Sequence, residues 1–213
     1  MKFILGILAL AVSLVCPGAT AASSEPVVPP GEMVAGQSQA DWSRAWAQWA
    51  GSFDKGASPI GDTTGESCAA RQRGPVWFLA GTSGTRRVVR TCKVPRDKYL
   101  FLPLLNYVAT PNPGTDSTCA AVQLTAAALT EDPEALILDV DGAAVENLAA
   151  HRQATATCFD MGVLTESKLT IYPSAANGYY VMLKPLSPGR HVLNFGGFVP
   201  NLLQAVTYTL VVE

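Results

Sequence analysis

The sequence predicts a mainly β protein. We expect an antiparallel β-sandwich, of the immunoglobulin-like or jelly-roll-like type, with a tryptophan-rich helix near the N-terminus and one short helix in mid-chain. Many short apolar segments alternate with turns rich in glycine and proline, which is typical of a sandwich. Only two segments show a helical pattern, and an even number of cysteines remains once an N-terminal leader is set aside. With 213 residues, 48% of them apolar, the chain can bury a core and is not a disordered protein.

Residues 1–21 are typical of a secretory signal peptide. Lys2 precedes an apolar run of 13 residues, Phe3 to Val15, and small residues follow at 19–21. As a helix this run rises about 20 Å, less than the roughly 30 Å of a bilayer core. We therefore expect a secreted or periplasmic protein with no transmembrane segment in its mature chain. An uncleaved membrane anchor and a lipid on Cys16 are the two alternatives.

The charge balance excludes one class of partner. The 15 Lys and Arg residues are matched by 17 Asp and Glu residues, and only 15% of all residues are charged. Such weak and balanced charge offers no electrostatic footprint for nucleic acid, so we expect no nucleic-acid partner.

The mature chain is predicted to hold an extended leader, residues 22–36, followed by a single disulfide-stapled domain, residues 37–213. The leader contains three prolines and has little periodicity. After it, Ser38 and Asp41 resemble a capping box that begins a helix.

Four cysteines of the mature chain predict two disulfides in an oxidising compartment: Cys68, Cys92, Cys119 and Cys158. Three pairings are open to four cysteines, and we favour Cys68–Cys92 with Cys119–Cys158 because each pair brackets one recognisable unit. The chain has no C-x-x-C pair and only two histidines, so we expect no metal site and no cofactor.

The predicted first helix carries Trp42, Trp46 and Trp49 within a narrow arc of one face. Two interpretations are open. The indole rings either pack on a sheet or form a stacking surface for a glycan or a docking surface for a partner.

The first half of the domain predicts two strands, a further strand and a short helix. Residues 76–80 and 87–94 are expected to form a hairpin around a loop at 81–85. An apolar strand begins at 99–102, and an alanine-rich helix follows at 120–129.

The second half predicts mainly strands. A strand at 135–140 turns at Asp141-Gly142 and returns over 144–147, and the last strand alternates apolar and polar residues from Val206 to Val212. The remaining predicted strands are 152–159, 168–172, and a hairpin of 179–184 with 191–195 around Pro188-Gly189.

Several segments in series resemble an uncharacterised family of exported bacterial proteins. These are DTTGESC (62–68), QRGPVWFLAG (72–81), RTCKVP (90–95), YLFLPLLN (99–106), LDVDG (138–142) and GYYVMLKPLSPGRH (178–191). The resemblance covers about residues 37–213 and implies an exported, β-rich single domain. It implies no activity and no catalytic residues.

Candidate catalytic groups are few. Asp62 and Glu66 are a local carboxylate pair of the kind that glycoside hydrolysis uses, although acids in a turn-rich segment commonly cap turns. His191 lies in a predicted strand, where a structural role is expected, and no G-x-S-x-G segment supplies a serine nucleophile.

Arginines are predicted to gather at the first hairpin. Arg71 and Arg90, beside an exposed Trp77, would hold a carboxylate, sulfate or sugar through paired hydrogen bonds and stacking. In the alternative interpretation the arginines pair with nearby acids and cover the edge of the sheet.

These observations favour an exported, non-catalytic binding or envelope-associated module for a glycan, a surface polymer or a protein partner. One alternative is a small secreted hydrolase that uses the carboxylate pair. Another is a structural or assembly protein that docks through its tryptophan helix.

Overall fold

The computed structural model of the protein describes residues 26–54, 56–82, 87–112, 114, 116–166, 169–200 and 202–213. The predicted signal peptide, residues 1–21, lies outside these ranges. Neither α-helix within them has the length and hydropathy that a membrane crossing needs.

The described part of the chain is mainly β. Its helices are α1 (Gln39–Gly51), α2 (Cys119–Ala128) and a short 3-10 helix (Leu148–His151). Its strands are β1 (Val76–Phe78), β2 (Val88–Val94), β3 (Tyr99–Ala109), β4 (Ala135–Val140), β5 (Ala143–Ala144), β6 (Arg152–Ala154), β7 (Ala175–Leu183), β8 (Gly189–Val199) and β9 (Leu202–Val212).

The strands form two sheets. The inner sheet has four strands in the order β1-β3-β7-β6, and the outer sheet has five in the order β2-β9-β8-β4-β5. Two pairings, β1 with β3 and β2 with β9, are parallel, so the predicted purely antiparallel arrangement is wrong. The chain leaves the inner sheet after β1, forms β2 in the outer sheet and returns as β3, and this detour lets β1 and β3 run in the same direction.

Two predicted hairpins are wrong for the same reason. Strands β1 and β2 lie in different sheets, as do β7 and β8. Glycine and proline indicate where a chain turns, but they do not determine which sheet receives the next strand. Residues 83–86 of the first predicted loop lie outside the described residues.

The hairpin at Asp141-Gly142 is confirmed, as β4 and β5 pair there in antiparallel register. Both turn residues have positive φ, 54° and 86°, as the tightest hairpin turns require. The return strand is shorter than predicted and ends at Ala144.

The predicted strands at 152–159 and 168–172 are largely wrong. Strand β6 ends at Ala154, and residues 169–172 form no strand. Instead, Asp160 closes this loop by accepting hydrogen bonds from the N–H groups of Gly162 and Ile171, both at 2.8 Å. The carboxylate thus satisfies backbone donors that a sheet would otherwise satisfy.

Apolar side chains fill the space on both faces of the inner sheet. Leu100, Leu102 and Leu104 of β3 pack towards the outer sheet. Phe101 and Tyr180, which point the other way, pack with α1. A sheet covered on both faces uses nearly continuous apolar strands, as β7 does, while the outer sheet has one face open.

Residues 26–36 form turns and isolated bridges and belong to the fold. Val28 donates its N–H to the carbonyl of Met182 at 2.8 Å, and Lys184 donates to that of Pro26 at 2.7 Å. Val27 and Val28 are buried in the core. The folded domain therefore reaches back at least to residue 26, ahead of the predicted boundary at residue 37.

The two predicted disulfides are confirmed. Cys68–Cys92 joins the turn-rich segment before β1 to β2, and Cys119–Cys158 joins the start of α2 to the segment after β6. By restricting the unfolded chain, each bridge contributes about 3–4 kcal/mol to stability.

Candidate functional site

The three tryptophans of α1 are structural. Trp42, Trp46 and Trp49 expose only 6%, 3% and 3% of their surface. Their indole N–H groups donate to backbone carbonyls, at distances of 3.0, 2.9 and 3.0 Å. Rings held in this way have no free face for a glycan or a partner, so the stacking interpretation is wrong and the packing interpretation is confirmed. The three tryptophan side chains form the apolar layer that fixes α1 on the inner sheet.

Trp77 and Arg90, two other predicted ligand-binding residues, are also buried. Arg90 is 1% exposed, and its guanidinium group lies 5.4 Å from the Tyr208 ring centre. Its three nitrogens donate to five oxygens at 2.6–3.0 Å: the carbonyls of Asp62, Ile60, Ala80 and Gly81 and the hydroxyl of Tyr208. A buried cation satisfied so fully holds protein segments together and is not available to a ligand.

Asp62 holds the loop that wraps around Arg90. Its carboxylate accepts from the N–H groups of Thr64, Gly65 and Ser67 at 2.8, 3.0 and 2.8 Å. Partial burial alone would raise the pKa of Asp62, but these hydrogen bonds outweigh it and lower the pKa below its ordinary value. Gly65 is required where the loop meets β2, since a Cβ there would lie 2.1 Å from the carbonyl oxygen of Thr91.

These contacts do not support the carboxylate pair as catalytic. A general acid must hold a proton near neutral pH, whereas the lowered pKa keeps Asp62 ionised. Glu66 is exposed at the next turn of the same loop.

An open cleft lies beside the C-terminal end of α1. It has a volume of about 410 Å³ and is lined by Trp49, Ser52, Arg71, Arg73, Leu164, Thr165 and Glu166. We call it the arginine cleft. Of the predicted ligand-binding residues, Arg71 lies here with an edge of Trp49, while Arg90 and Trp77 do not.

The position of the two cleft arginines is set by the residue between them. The amide of Gln72 donates to the carbonyls of Cys68 and Phe78 and accepts from the N–H of Phe78, at 2.8–2.9 Å. This clamp fixes residues 71–73 against β1, with Arg71 in the left-handed region at φ 55°. Arg71 and Arg73 therefore project from a fixed backbone.

The two arginines are engaged to different degrees. Arg71 donates to the carbonyl of Ser52 and to Glu166 at 2.7 Å, and its guanidinium group lies 5.0 Å from the Phe53 ring centre. The Glu166 side chain is 73% exposed, so this ion pair is screened and weak. Arg73 forms no ion pair or side-chain hydrogen bond with any described residue.

The other wall of the cleft was not predicted from the sequence. Leu164, Thr165 and Glu166 lie in the loop after Asp160, where the sequence predicts only a connection between strands. No spacing or motif joins these residues to Arg71, because it is tertiary contacts such as the bond from the Gln48 amide to the carbonyl of Asp160 that bring the loop there.

A contact between Asp141, His191 and Ser187 was also not predicted from the sequence. Nδ1 of His191 lies 2.7 Å from the carboxylate of Asp141, and Nε2 lies 2.8 Å from the carbonyl oxygen of Ser187 and 3.4 Å from its hydroxyl. Burial of the ring disfavours its charged form, but the bonds to Asp141 and to the Ser187 carbonyl outweigh it and raise the pKa of His191. Because Nε2 donates to a carbonyl, it does not act as the base that would activate Ser187.

The described residues contain no cluster of three or more His, Cys, Asp or Glu side chains that could hold a metal ion. The arginine cleft is lined instead by two guanidinium groups, one carboxylate and an apolar wall.

Comparison with known proteins adds little. No family model and no curated protein matches the sequence. One solved chain, from a structure described as PbICP-C in complex with falcipain-2, is similar over 66% of this chain and 100% of its own, at 12% identity and a TM-score of 0.26. A TM-score this low does not establish a common fold, and the resemblance to exported bacterial proteins stays a prediction.

Proposed function

We propose that the protein is an exported, non-catalytic binding module that recognises an anionic surface glycan in the arginine cleft. The observation that carries the proposal is the placement of Arg73, uncommitted among the described residues, beside Arg71 in a cleft of about 410 Å³. A cleft of this size lies within the usual range of ligand sites.

The chemistry of the cleft favours a carboxylated, sulfated or phosphorylated sugar. A guanidinium group binds such groups through two parallel hydrogen bonds, which are stronger than bonds between neutral partners. Leu164, which is 48% exposed, offers apolar surface to the C–H groups of a sugar ring.

The charges around the cleft support binding rather than hydrolysis. Two guanidinium groups face one carboxylate, Glu166, among the lining residues. Glycoside hydrolysis ordinarily needs two carboxyl groups that flank the bond to be cleaved. The two disulfides support export, because such bridges form and persist in oxidising compartments.

Calorimetric titration with polygalacturonate, a carboxylated glycan, tests the proposal. We expect measurable binding by the purified protein, and little binding of the methyl-esterified polymer, which has the same backbone without the charge. Arg73→Gln should weaken binding about tenfold, the loss of one charge-assisted pair of hydrogen bonds.

Arg44→Gln is the matched control, because Arg44 is an arginine of α1 that pairs with Asp41 on the surface, outside the cleft. It removes the same charge and should leave affinity unchanged. Equal binding of the charged and esterified polymers, or equal loss in both variants, would contradict a site at the arginine cleft.

A further inference from the structure

The open face of the outer sheet has an apolar centre. An antiparallel sheet with one face in water usually carries polar residues on that face. Here the neighbours Ile137, Gly196 and Ala205 lie side by side on three strands, and Ile137 is 58% exposed. Apolar surface gathered in this way on a folded protein commonly marks an interaction site.

The small residues at this centre create a depression in the sheet. Gly196 packs so closely on β9 that a Cβ would lie 1.9 Å from the carbonyl oxygen of Gln204, so no side chain can fill the space. Ile137, Phe198 and Leu203 line the depression, which has a volume of about 210 Å³. We call it the outer-sheet pocket.

One end of the outer-sheet pocket carries a fixed positive charge. Arg87 donates from Nη2 to the Thr207 hydroxyl at 2.6 Å and to the Asn194 side-chain oxygen at 3.1 Å. Both partners are neutral, and among the described residues no carboxylate lies within ion-pair distance of Arg87. The nearby carboxylate of Asp139 accepts a long hydrogen bond of 3.4 Å from the Asn194 amide and forms no ion pair with Arg87. The guanidinium group of Arg87 is therefore oriented by its neutral partners, but its charge is not neutralised.

We propose that the outer-sheet pocket binds a small carboxylate with a single-ring apolar body. An apolar cavity of about 150 Å³ can hold benzene, so a pocket of about 210 Å³ suits one ring with a short acidic arm. The ring replaces water on Ile137, Phe198 and Leu203, while the carboxylate reaches the guanidinium group of Arg87. The site is independent of the arginine cleft, with which it shares no lining residue.

Titration of the isotope-labelled protein with phenylacetate, followed by amide chemical shifts, tests this inference. We expect saturable shifts at Gly196, Ala205 and Thr207, with a dissociation constant of roughly 0.1–1 mM for so small a ligand. 2-Phenylethanol, which lacks the charge, should bind about tenfold more weakly.

Two variants separate the charge from the cavity. Arg87→Gln should weaken phenylacetate binding about tenfold, whereas Arg190→Gln should not, although Arg190 also contacts a threonine hydroxyl on this sheet. Ala205→Leu should fill the depression and abolish binding, with the remaining amide shifts showing that the fold persists.

Three outcomes would overturn the inference: no saturable shifts up to about 10 mM ligand, equal binding of phenylacetate and 2-phenylethanol, or shifts confined to the arginine cleft. The glycan titration uses a different probe and a different surface. A failure there would therefore leave this result unchanged.

Discussion

Arg90 and Arg73 lie in one stretch of sequence and end in opposite environments. Arg90 is enclosed by five oxygen acceptors beneath a loop, and Arg73 projects from a clamped turn into an open cleft. Arg90 joins the segment at Ile60 and Asp62 to the residues after β1 and to Tyr208 in the middle of β9, which makes it a part of the fold. The Arg73 side chain has no ion-pair or hydrogen-bond partner among the described residues.

Residue type alone therefore does not identify a binding arginine. What decides is whether the protein itself supplies acceptors for the guanidinium group. A buried cation must be fully hydrogen-bonded to be tolerated, so a completed set of partners indicates structure. An arginine at the edge of a cleft with no partner among the described residues is the kind of group on which the proposed binding site rests.

Arg90→Met gives the largest expected effect and tests the structural half of this contrast. Methionine can replace the aliphatic stem but leaves several buried acceptors without donors, so we expect a loss of about 3–5 kcal/mol in the free energy of unfolding. Thermal unfolding should show a fall in melting temperature of roughly 10 °C.

Arg73→Met is the matched control and should change the free energy of unfolding by less than about 0.5 kcal/mol, as surface substitutions usually do. Similar losses in the two variants would mean that the arginine cleft is also part of the stable framework. Such a result would remove the distinction between the two arginines.

Asp62→Asn gives a smaller effect and sharpens the contrast through pH. The pKa of Asp62 is lowered in the folded protein from an ordinary value of 3.8, so its carboxylate adds stability above that pH. This stability is lost as the pH falls through the folded-state pKa. Because the group is partly exposed, we expect it to contribute on the order of 1 kcal/mol.

Unfolding measured from pH 6 to about pH 2.5 checks this expectation. The wild type should lose more stability in acid than Asp62→Asn, which lacks the titrating group. Arg73→Gln should follow the wild-type curve, because Asp62 does not line the arginine cleft and keeps its hydrogen bonds in this variant. Parallel acid curves for wild type and Asp62→Asn would contradict the role of Asp62 in holding the loop around Arg90.

Local chemistry made part of the fold predictable. Ser38 caps α1 by accepting from the N–H of Asp41 at 3.1 Å, and the Asp141-Gly142 turn forms where two residues with positive φ are needed. The disulfide pairing followed because each pair encloses a compact unit. In each case the deciding interaction spans few residues or is covalent.

The sheets and the site depend on contacts that the sequence does not display. The parallel pairing of β2 with β9 joins strands that are distant along the chain. The cleft was only half predicted, because Arg71 was recognised while Glu166 reaches it from a remote loop. Arg90 was predicted to bind a ligand. Its structural role depends on backbone carbonyls, and any residue type can supply these, so the sequence does not reveal them.

The salt dependence of polygalacturonate binding tests the central claim most directly. The comparison is between Arg71→Gln/Arg73→Gln and Arg44→Gln/Arg190→Gln, two double variants of equal net charge. If the guanidinium groups of the cleft contact the polymer, only the first should lose most of its affinity and show a flatter dependence of affinity on salt. Equal affinity and equal salt dependence in the two double variants would contradict the account.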